Sequence, residues 1–303
     1  MDYNLFLHEV TNELSLRYIN TAKVKLSSVT KNNGVTHDCA IITENDKNIS
    51  ESIYLSQFYD LMQRDNLSVS EICDRIIELH TSLKVPDYID ASFFLEYKNV
   101  KPQIAFKLVN LMMNKELLKE VPHIIYLDLA IVFLCLVDDP AFGRGSILIR
   151  NSHLEKWGKT VNDLYEDALN NSKSLMPYKL MGMDEFLNRY KIRRELPYEE
   201  SIPPLSGEVS NMYILTNDSQ YFGASSLLYD NLLRNLAEQF KSSFFILPSS
   251  VHEVILFPTK TKDNLDAFNT MVREVNTYEL RREDILSDHA YFYDYDDKAL
   301  YAS

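Results

Sequence analysis

Nine consecutive apolar residues, Leu129 to Val137 (LAIVFLCLV), stand between Asp128 and the pair Asp138-Asp139. A membrane helix needs about 20 such residues, so this run is too short to cross a bilayer. It is apolar at odd and even positions alike, which is the pattern of a β-strand covered on both faces rather than one. With HIIY in front of it, the stretch from His123 to Asp139 reads as one strand. GSILIRN, beyond a turn holding Pro140, Gly143 and Gly145, reads as its hairpin partner. A strand with two buried faces demands cover on both sides, and 303 residues, 46% of them hydrophobic, can supply it.

Upstream, Tyr3, Phe6, Leu7, Val10 and Leu14 recur at three- and four-residue intervals and predict an opening helix over 3–18. AKVKLSSVTK and VTHDCAIITE then flank Asn32-Asn33-Gly34, whose Asn-Gly suits the positive φ of a hairpin turn. Ser68 with Glu71 forms a capping-box signature. The helix it opens buries Val69, Ile72, Cys73, Ile76, Leu79 and Leu83, with His80 at its edge. Ser152 with Glu155, and Thr160 with Asp163, predict two short helices broken at Gly158.

ELPYEESIPPLSG, residues 195–207, has three prolines and no apolar period, and reads as a linker. After it come a strand, MYILTN, a helix carrying Ala224, Leu228, Leu232, Leu236 and Phe240, and a hairpin of FFIL with VHEVILFP. A last helix, capped at Asp263, buries Leu265, Phe268, Val272 and Val275 ahead of an irregular tail. The fold class expected is α+β, built of helix-and-hairpin units with small mixed or antiparallel sheets. The expected organisation is an N-terminal unit over 1–88, with a boundary near Val85-Pro86-Asp87, a middle unit over 89–196, a Pro-rich linker over 197–207 and a C-terminal unit over 208–303.

Charge bears on partners. Acids outnumber Lys and Arg by 44 to 31, a formal charge of -13, which repels nucleic-acid phosphates and anionic lipid. The one basic cluster, Arg189, Lys191, Arg193 and Arg194, is flanked by Asp184, Glu185 and Glu195 and reads as a solvated helix end or a salt-bridge surface. Cys39, Cys73 and Cys135 are widely spaced, with no CxxC pair, and imply neither disulfides nor zinc. The start, MDYNLFLHEV, lacks the basic region of a signal peptide. The expectations are a cytoplasmic setting, no membrane, no nucleic acid, no metal and no cofactor.

Chemistry concentrates in ILPSSVHEVILFP, residues 246–258. If Val251 to Phe257 is extended, His252 and Glu253 point to opposite faces, leaving Ser250 and His252 as the pair able to cooperate. A serine nucleophile needs a base in hydrogen-bond reach, an orienting group and oxyanion donors. Asp128, flanked by Leu127 and Leu129 in an apolar strand, needs a partner and could orient the imidazole. Neither GxSxG nor HExxH surrounds these residues, and the alternative reading makes them a satisfied turn. In LTNDSQYFGASSLLY, the residues Asn217, Gly223 and Ser225, with Glu253, form a candidate binding group. A glycine at a helix start can present N–H groups to an anion or can serve close packing. His37, His80, His123 and His153 read as structural. The tail HAYFYDYDD, acidic and aromatic, reads as docking on its own domain, with a protein partner as the functional variant.

Taken in order, VTKNNGVTHDCAIIT, IYLSQFYD, PHIIYLDLAIVF, GSILIRNSHLEKWG, LTNDSQYFGASSLLY and LPSSVHEVILFP resemble the bacterial family called domain of unknown function 5688. The middle and C-terminal segments are also similar to the YtpQ-like proteins. The resemblance implies a bacterial source, among gut Clostridia, a cytoplasmic setting and proximity to mobile elements. It carries no catalytic residue. The leading expectation is a non-catalytic accessory protein that binds another protein. The rival is a hydrolase with Ser250 and His252 in a cleft between the middle and C-terminal units.

Overall fold

The structure, a computed structural model, describes residues 1–45, 47–48, 50–83, 91–139, 143–186 and 212–302. The boundary at Val85-Pro86-Asp87, the Pro-rich linker and the basic cluster from Arg189 to Arg194 lie outside the described residues. The chain forms two compact units, one of Met1–Leu95 with Val137–Gly145, the other of Glu96–Leu136 with Ser146–Ser303. The class is α+β, and the described residues form three small antiparallel sheets.

The first unit opens with α1 (Tyr3–Arg17), whose first turn is capped by Asp2 accepting from the Leu5 N–H at 2.9 Å. Strands β1 (Ala22–Thr30) and β2 (Thr36–Glu44) form the expected hairpin. Asn33 (φ 58°) and Gly34 (φ 67°) take the left-handed conformations that Asn-Gly adopts most cheaply. Strand β3 (Glu51–Tyr54) completes a sheet of order β1-β2-β3. Two helices follow, α2 (Ser56–Asp65) and α3 (Val69–Ser82). The Ser68–Glu71 capping box forms in both directions, and its bonds hold the Glu71 carboxyl below the usual carboxylate range. Phe6, Val10 and Leu14 pack with Ile42, Ile53, Ile72 and Ile76 in one core.

His80 is not at the edge of α3. It continues the buried stripe after Ile72 and Ile76, while Leu83 is exposed. Its Nδ1 lies 2.9 Å from the Tyr18 hydroxyl, and its Nε2 lies 3.7 Å and 3.9 Å from Glu44 and Glu51. Burial raises the Glu51 carboxyl above its ordinary value, an effect opposed by His80. A polar ring extends the stripe because each of its nitrogens has a partner waiting.

Next along the chain come α4 (Tyr97–Val100), β4 (Ile104–Asn110), α5 (Lys115–Leu118), β5 (His123–Tyr126), β6 (Leu129–Asp139) and β7 (Gly143–Leu148), all in the second unit except the end of β6 from Val137 and the start of β7 up to Gly145. Leu129 to Leu136 are all buried, as their two-faced pattern requires. The segment from His123 to Asp139 is nevertheless two strands. Leu127 (φ 58°) and Asp128 turn the chain, so Tyr126 pairs with Leu129 and His123 with Val132. Leu-Asp is a weak turn signal, which hid the break. Strand β6 thus pairs β4 on one side, and β5 and β7 also pair it.

Next come α6 (Asn151–Trp157), α7 (Val161–Leu175) and β8 (Tyr178–Gly182). Thr160 and Asp163 form their capping box, and Gly158 (φ 62°) breaks the helices as expected. Ser152 does not cap α6. The helix starts at Asn151, two residues earlier than a Ser152 cap would place it, and the Arg150 N–H is met by His153 Nδ1 at 3.0 Å.

Strand β9 (Tyr213–Asn217) precedes a 3-10 turn, Gly223–Leu228, and α8 (Leu232–Phe240). The single helix expected from Ala224 to Phe240 is interrupted because Tyr229 is drawn inward. Its hydroxyl donates to the Ser172 and Met176 carbonyls at 3.1 Å and 2.7 Å, and Asn231 (φ 61°) restarts the helix. Strands β10 (Ser243–Pro248) and β11 (Val254–Thr259) form the expected hairpin. Helix α9 (Leu265–Tyr278) is not capped by Asp263, and its buried stripe is Phe268, Val272 and Asn276 in place of Val275.

The tail is not irregular. It supplies β12 (Tyr291–Asp294) and β13 (Ala299–Ala302) to a sheet of order β13-β12-β10-β11-β9-β8. Tyr291, Phe292 and Tyr293 are buried there. Lys262 Nζ sits 4.8 Å from the Phe292 ring, 4.6 Å from Tyr301 and 3.5 Å from Asp294 Oδ2. The acidic aromatic segment thus docks on its own unit.

All three cysteines are buried and free, and burial pushes the Cys73 thiol up to about 11 and Cys135 up to about 12. A thiol-reactive dye at pH 8 is expected to leave the native chain unlabelled and to label it fully in urea. Native labelling at the rate of a free thiol would contradict the burial.

Candidate functional site

The two stretches singled out in the sequence meet at one place. Residues 249–253 link β10 to β11, and residues 218–222 link β9 to the 3-10 turn. Extended backbone begins only at Val254, so the alternation expected from Val251 does not hold for residues 251–253. Ser250 and Glu253 therefore come together instead of Ser250 and His252. The Ser250 hydroxyl donates to Glu253 Oε1 at 3.0 Å and accepts from the His252 N–H at 3.0 Å. Its own N–H reaches the Glu253 carbonyl at 3.1 Å, and Ser249 adds a 3.5 Å bond to the same carboxylate oxygen. Ser250 is 3% exposed. It is a turn builder, held away from the imidazole it was expected to use.

His252 is turned the other way. The Phe222 N–H donates to its Nδ1 at 3.3 Å, so the neutral ring carries its proton on Nε2, which faces Asp284 Oδ1 at 3.4 Å. Its carbonyl accepts from Thr216 Oγ1 at 2.8 Å. The ring lies nearly parallel to Phe222, centroids 6.0 Å apart at 14°, and 5.9 Å from Tyr221 at 28°. With both nitrogens engaged, His252 has none left to accept a proton from a nucleophile.

Asn217 shapes the facing loop. Its Oδ1 accepts from the Tyr221 N–H at 3.2 Å and Ser219 Oγ at 2.9 Å, while its Nδ2 donates to the Tyr221 carbonyl at 2.8 Å. Gln220 (φ 53°) and Phe222 (φ 56°) are both left-handed, an uncommon conformation for such side chains. Gly223 fits where nothing larger does. A Cβ there would lie 2.4 Å from the His252 carbonyl oxygen, 2.4 Å from Thr216 Oγ1 and 2.7 Å from the Asn217 nitrogen. Its role is close packing. Ser225 accepts from the Leu108 N–H at 3.0 Å and ties the turn to β4.

The surface that results is aromatic. Tyr221 is 40% exposed, its ring centroid 3.9 Å from that of Phe222. Lys107 Nζ stands 4.5 Å from the Phe222 ring. The Asp284 carboxylate is about a third exposed beside His252, and the Asp284 carbonyl accepts from the Val251 N–H at 2.9 Å.

Asp128 lies elsewhere in the second unit. Its Oδ2 accepts from Ser287 Oγ and its Oδ1 from the Tyr291 hydroxyl, both at 2.6 Å, with His289 Nδ1 at 3.8 Å. It orients Tyr291 and the segment before β12, and His252 has Asp284 as its carboxylate. Burial, and then the Asp128 charge, raise the Tyr291 phenol well above its ordinary range. Among the described residues, no group of three His, Cys, Asp or Glu could hold a metal ion, and no helix is long and apolar enough to cross a membrane.

Sequence reasoning missed Tyr221, Phe222, Thr216 and Asp284. An aromatic pair beside a lone glycine was the available signal for the first two. Asp284 had none, being 32 positions from the histidine it faces. The model of DUF5688, a family of unknown function, matches residues 3–295. No curated protein and no solved structure matches the chain.

Proposed function

The chain belongs to the DUF5688 family, and from that premise we propose that it is a non-catalytic module that binds a protein partner through the Tyr221–Phe222–His252–Asp284 surface. One observation carries this reading. The half-exposed Tyr221 ring is clamped against Phe222 on a loop that Asn217 and His252 hold from within. Such a ring loses little freedom on binding, which is why rigid tyrosines anchor interfaces. The tail was expected to dock on its own domain, with a protein partner as the functional variant; Tyr291, Phe292 and Tyr293 are buried in its own sheet, so the support for a partner shifts to this loop. Engagement of Ser250 by Glu253, and of both His252 nitrogens, weighs against the hydrolase. The resemblance supports a bacterial cytoplasmic setting near mobile elements.

Affinity capture from an extract of a native host tests it. Wild-type protein is expected to retain a reproducible partner that Tyr221→Ala loses and Tyr278→Ala, altered at a tyrosine 80% exposed, keeps. A partner held equally by Tyr221→Ala, or no partner at all, would sink the proposal.

A further inference from the structure

We propose that His252 is a proton-operated latch on the Tyr221–Phe222 loop: while neutral its Nδ1 holds the Phe222 N–H, and a proton taken up at that nitrogen releases it and loosens the binding surface. The inference rests on the binding reading above and supplies its regulation. The neutral ring has one acceptor, and the loop uses it, the Phe222 N–H lying 3.3 Å from Nδ1. The other nitrogen carries its proton toward Asp284 Oδ1 at 3.4 Å. An imidazolium has a donor at each nitrogen and no acceptor, so no rotation of the ring restores the bond. Two N–H groups would then face each other where one hydrogen bond stood. The side chain is 28% exposed, within reach of solvent protons, and histidine is the residue whose charge ordinarily changes between about pH 5 and 8.

Backbone bonds fix the histidine, so the loop is what yields. The His252 N–H donates to Ser250 Oγ at 3.0 Å, its carbonyl accepts from Thr216 Oγ1 at 2.8 Å, and the Val251 N–H donates to the Asp284 carbonyl at 2.9 Å. The loop is held against its own preference: Gln220 (φ 53°) and Phe222 (φ 56°) are left-handed, a conformation such residues keep only while their surroundings impose it. Losing the Phe222 bond removes one of those constraints. Asn217 keeps both backbone groups of Tyr221, so the change centres on the Phe222 peptide and on the ring that packs 3.9 Å from Tyr221. The rings can stack in either charge state, and the hydrogen bond is what the proton removes. Charged and titratable groups come from each segment around the ring. Its own turn carries Glu253, taken up by Ser249 and Ser250, and the facing loop carries Asp218 and the Tyr221 phenol. Strand β4 sets Lys107 4.5 Å from the Phe222 ring, and the 3-10 turn Arg282–Asp284 carries Arg282, Glu283 and Asp284. Asp284 meets the imidazole itself and favours its charged form, while Lys107 opposes it.

The test is nuclear magnetic resonance of the full chain labelled with nitrogen-15 phenylalanine, in which 15 amides report and Phe222→Tyr identifies the signal of interest. From about pH 7.5 to about pH 5.5 the Phe222 amide is expected to shift along one titration curve with the His252 ring. Its exchange with solvent, corrected for the intrinsic effect of pH, is expected to quicken at least about fivefold. His252→Asn supplies an acceptor that does not titrate, and in that variant the Phe222 signal should stay in place. Should the variant not fold, the shared midpoint in wild type decides alone. A Phe222 amide that stands still in wild type, or that moves as far in folded His252→Asn, overturns the latch. A partner captured at about pH 7.5 is expected to be shed at about pH 5.5, and its retention at both values would overturn the regulatory role. Capture of no partner beside a titrating Phe222 would remove the binding reading and leave the latch; a captured partner beside a stationary Phe222 would do the reverse.

Discussion

Gly223→Ala is expected to destabilise the second unit by about 3 kcal/mol and lower its thermal midpoint by about 6–12 °C. Two of the three atoms that the new methyl would meet, the His252 carbonyl oxygen at 2.4 Å and the Asn217 nitrogen at 2.7 Å, are backbone and have nowhere to go. The third, Thr216 Oγ1, is the donor that holds the same His252 carbonyl. Relief therefore requires β9 and the turn before β11 to separate, which would also pull Phe222 from His252. Gly182→Ala is the control: in β8 a Cβ meets nothing within 4 Å, and that variant is expected to stay within about 1 kcal/mol of wild type. Differential scanning calorimetry of the two variants decides it; equal midpoints would show that the turn yields.

Asp128→Ala is expected to cost about 3 kcal/mol for a different reason. It strands two hydroxyls at once, those of Ser287 and Tyr291, both essentially without solvent, and a buried donor left unpaired costs about 1–3 kcal/mol. Tyr291→Phe takes away one of the donors and leaves a carboxylate that water can still reach, so about 1 kcal/mol is expected. In a double-mutant cycle by urea unfolding, the pair should couple by at least about 1 kcal/mol; simple additivity would dissolve the proposed tie. The pH dependence has a definite sign. The Tyr291 phenol titrates higher in the folded chain than in the unfolded one, so the folded state holds the proton longer. Its stabilising contribution is complete below the ordinary phenol value of about 10 and is lost as pH climbs beyond it through the raised value. Between pH 8 and pH 10.5 wild type should lose more stability than Tyr291→Phe, and identical slopes would refute the assignment.

Elements were legible where local chemistry is decisive. Ser68–Glu71 and Thr160–Asp163 cap their helices because a capping box is complete within four residues. The Asn33-Gly34 turn and the two-faced burial of Leu129 to Leu136 follow from backbone preference and apolar pattern in the same way. Breaks were missed where a remote contact sets them. The turn at Leu127-Asp128 is fastened by Ser287 and Tyr291, and the interruption at Tyr229 by carbonyls of Ser172 and Met176. No window around those residues contains the partner that bends them.

The candidate site divides along the same line. From the amino-acid order alone came its neighbourhood: the polar turn in ILPSSVHEVILFP, the packing role open to Gly223, the α+β class and the family resemblance. Which side chains cooperate was decided only by the tertiary structure. Three residues outside the strand, 251–253, bring Ser250 to Glu253 and swing His252 toward Phe222 and Asp284. Alternation along a strand is a rule of extended backbone, and it lapses at a turn, where hydrogen bonds to remote chain segments choose the direction of each side chain.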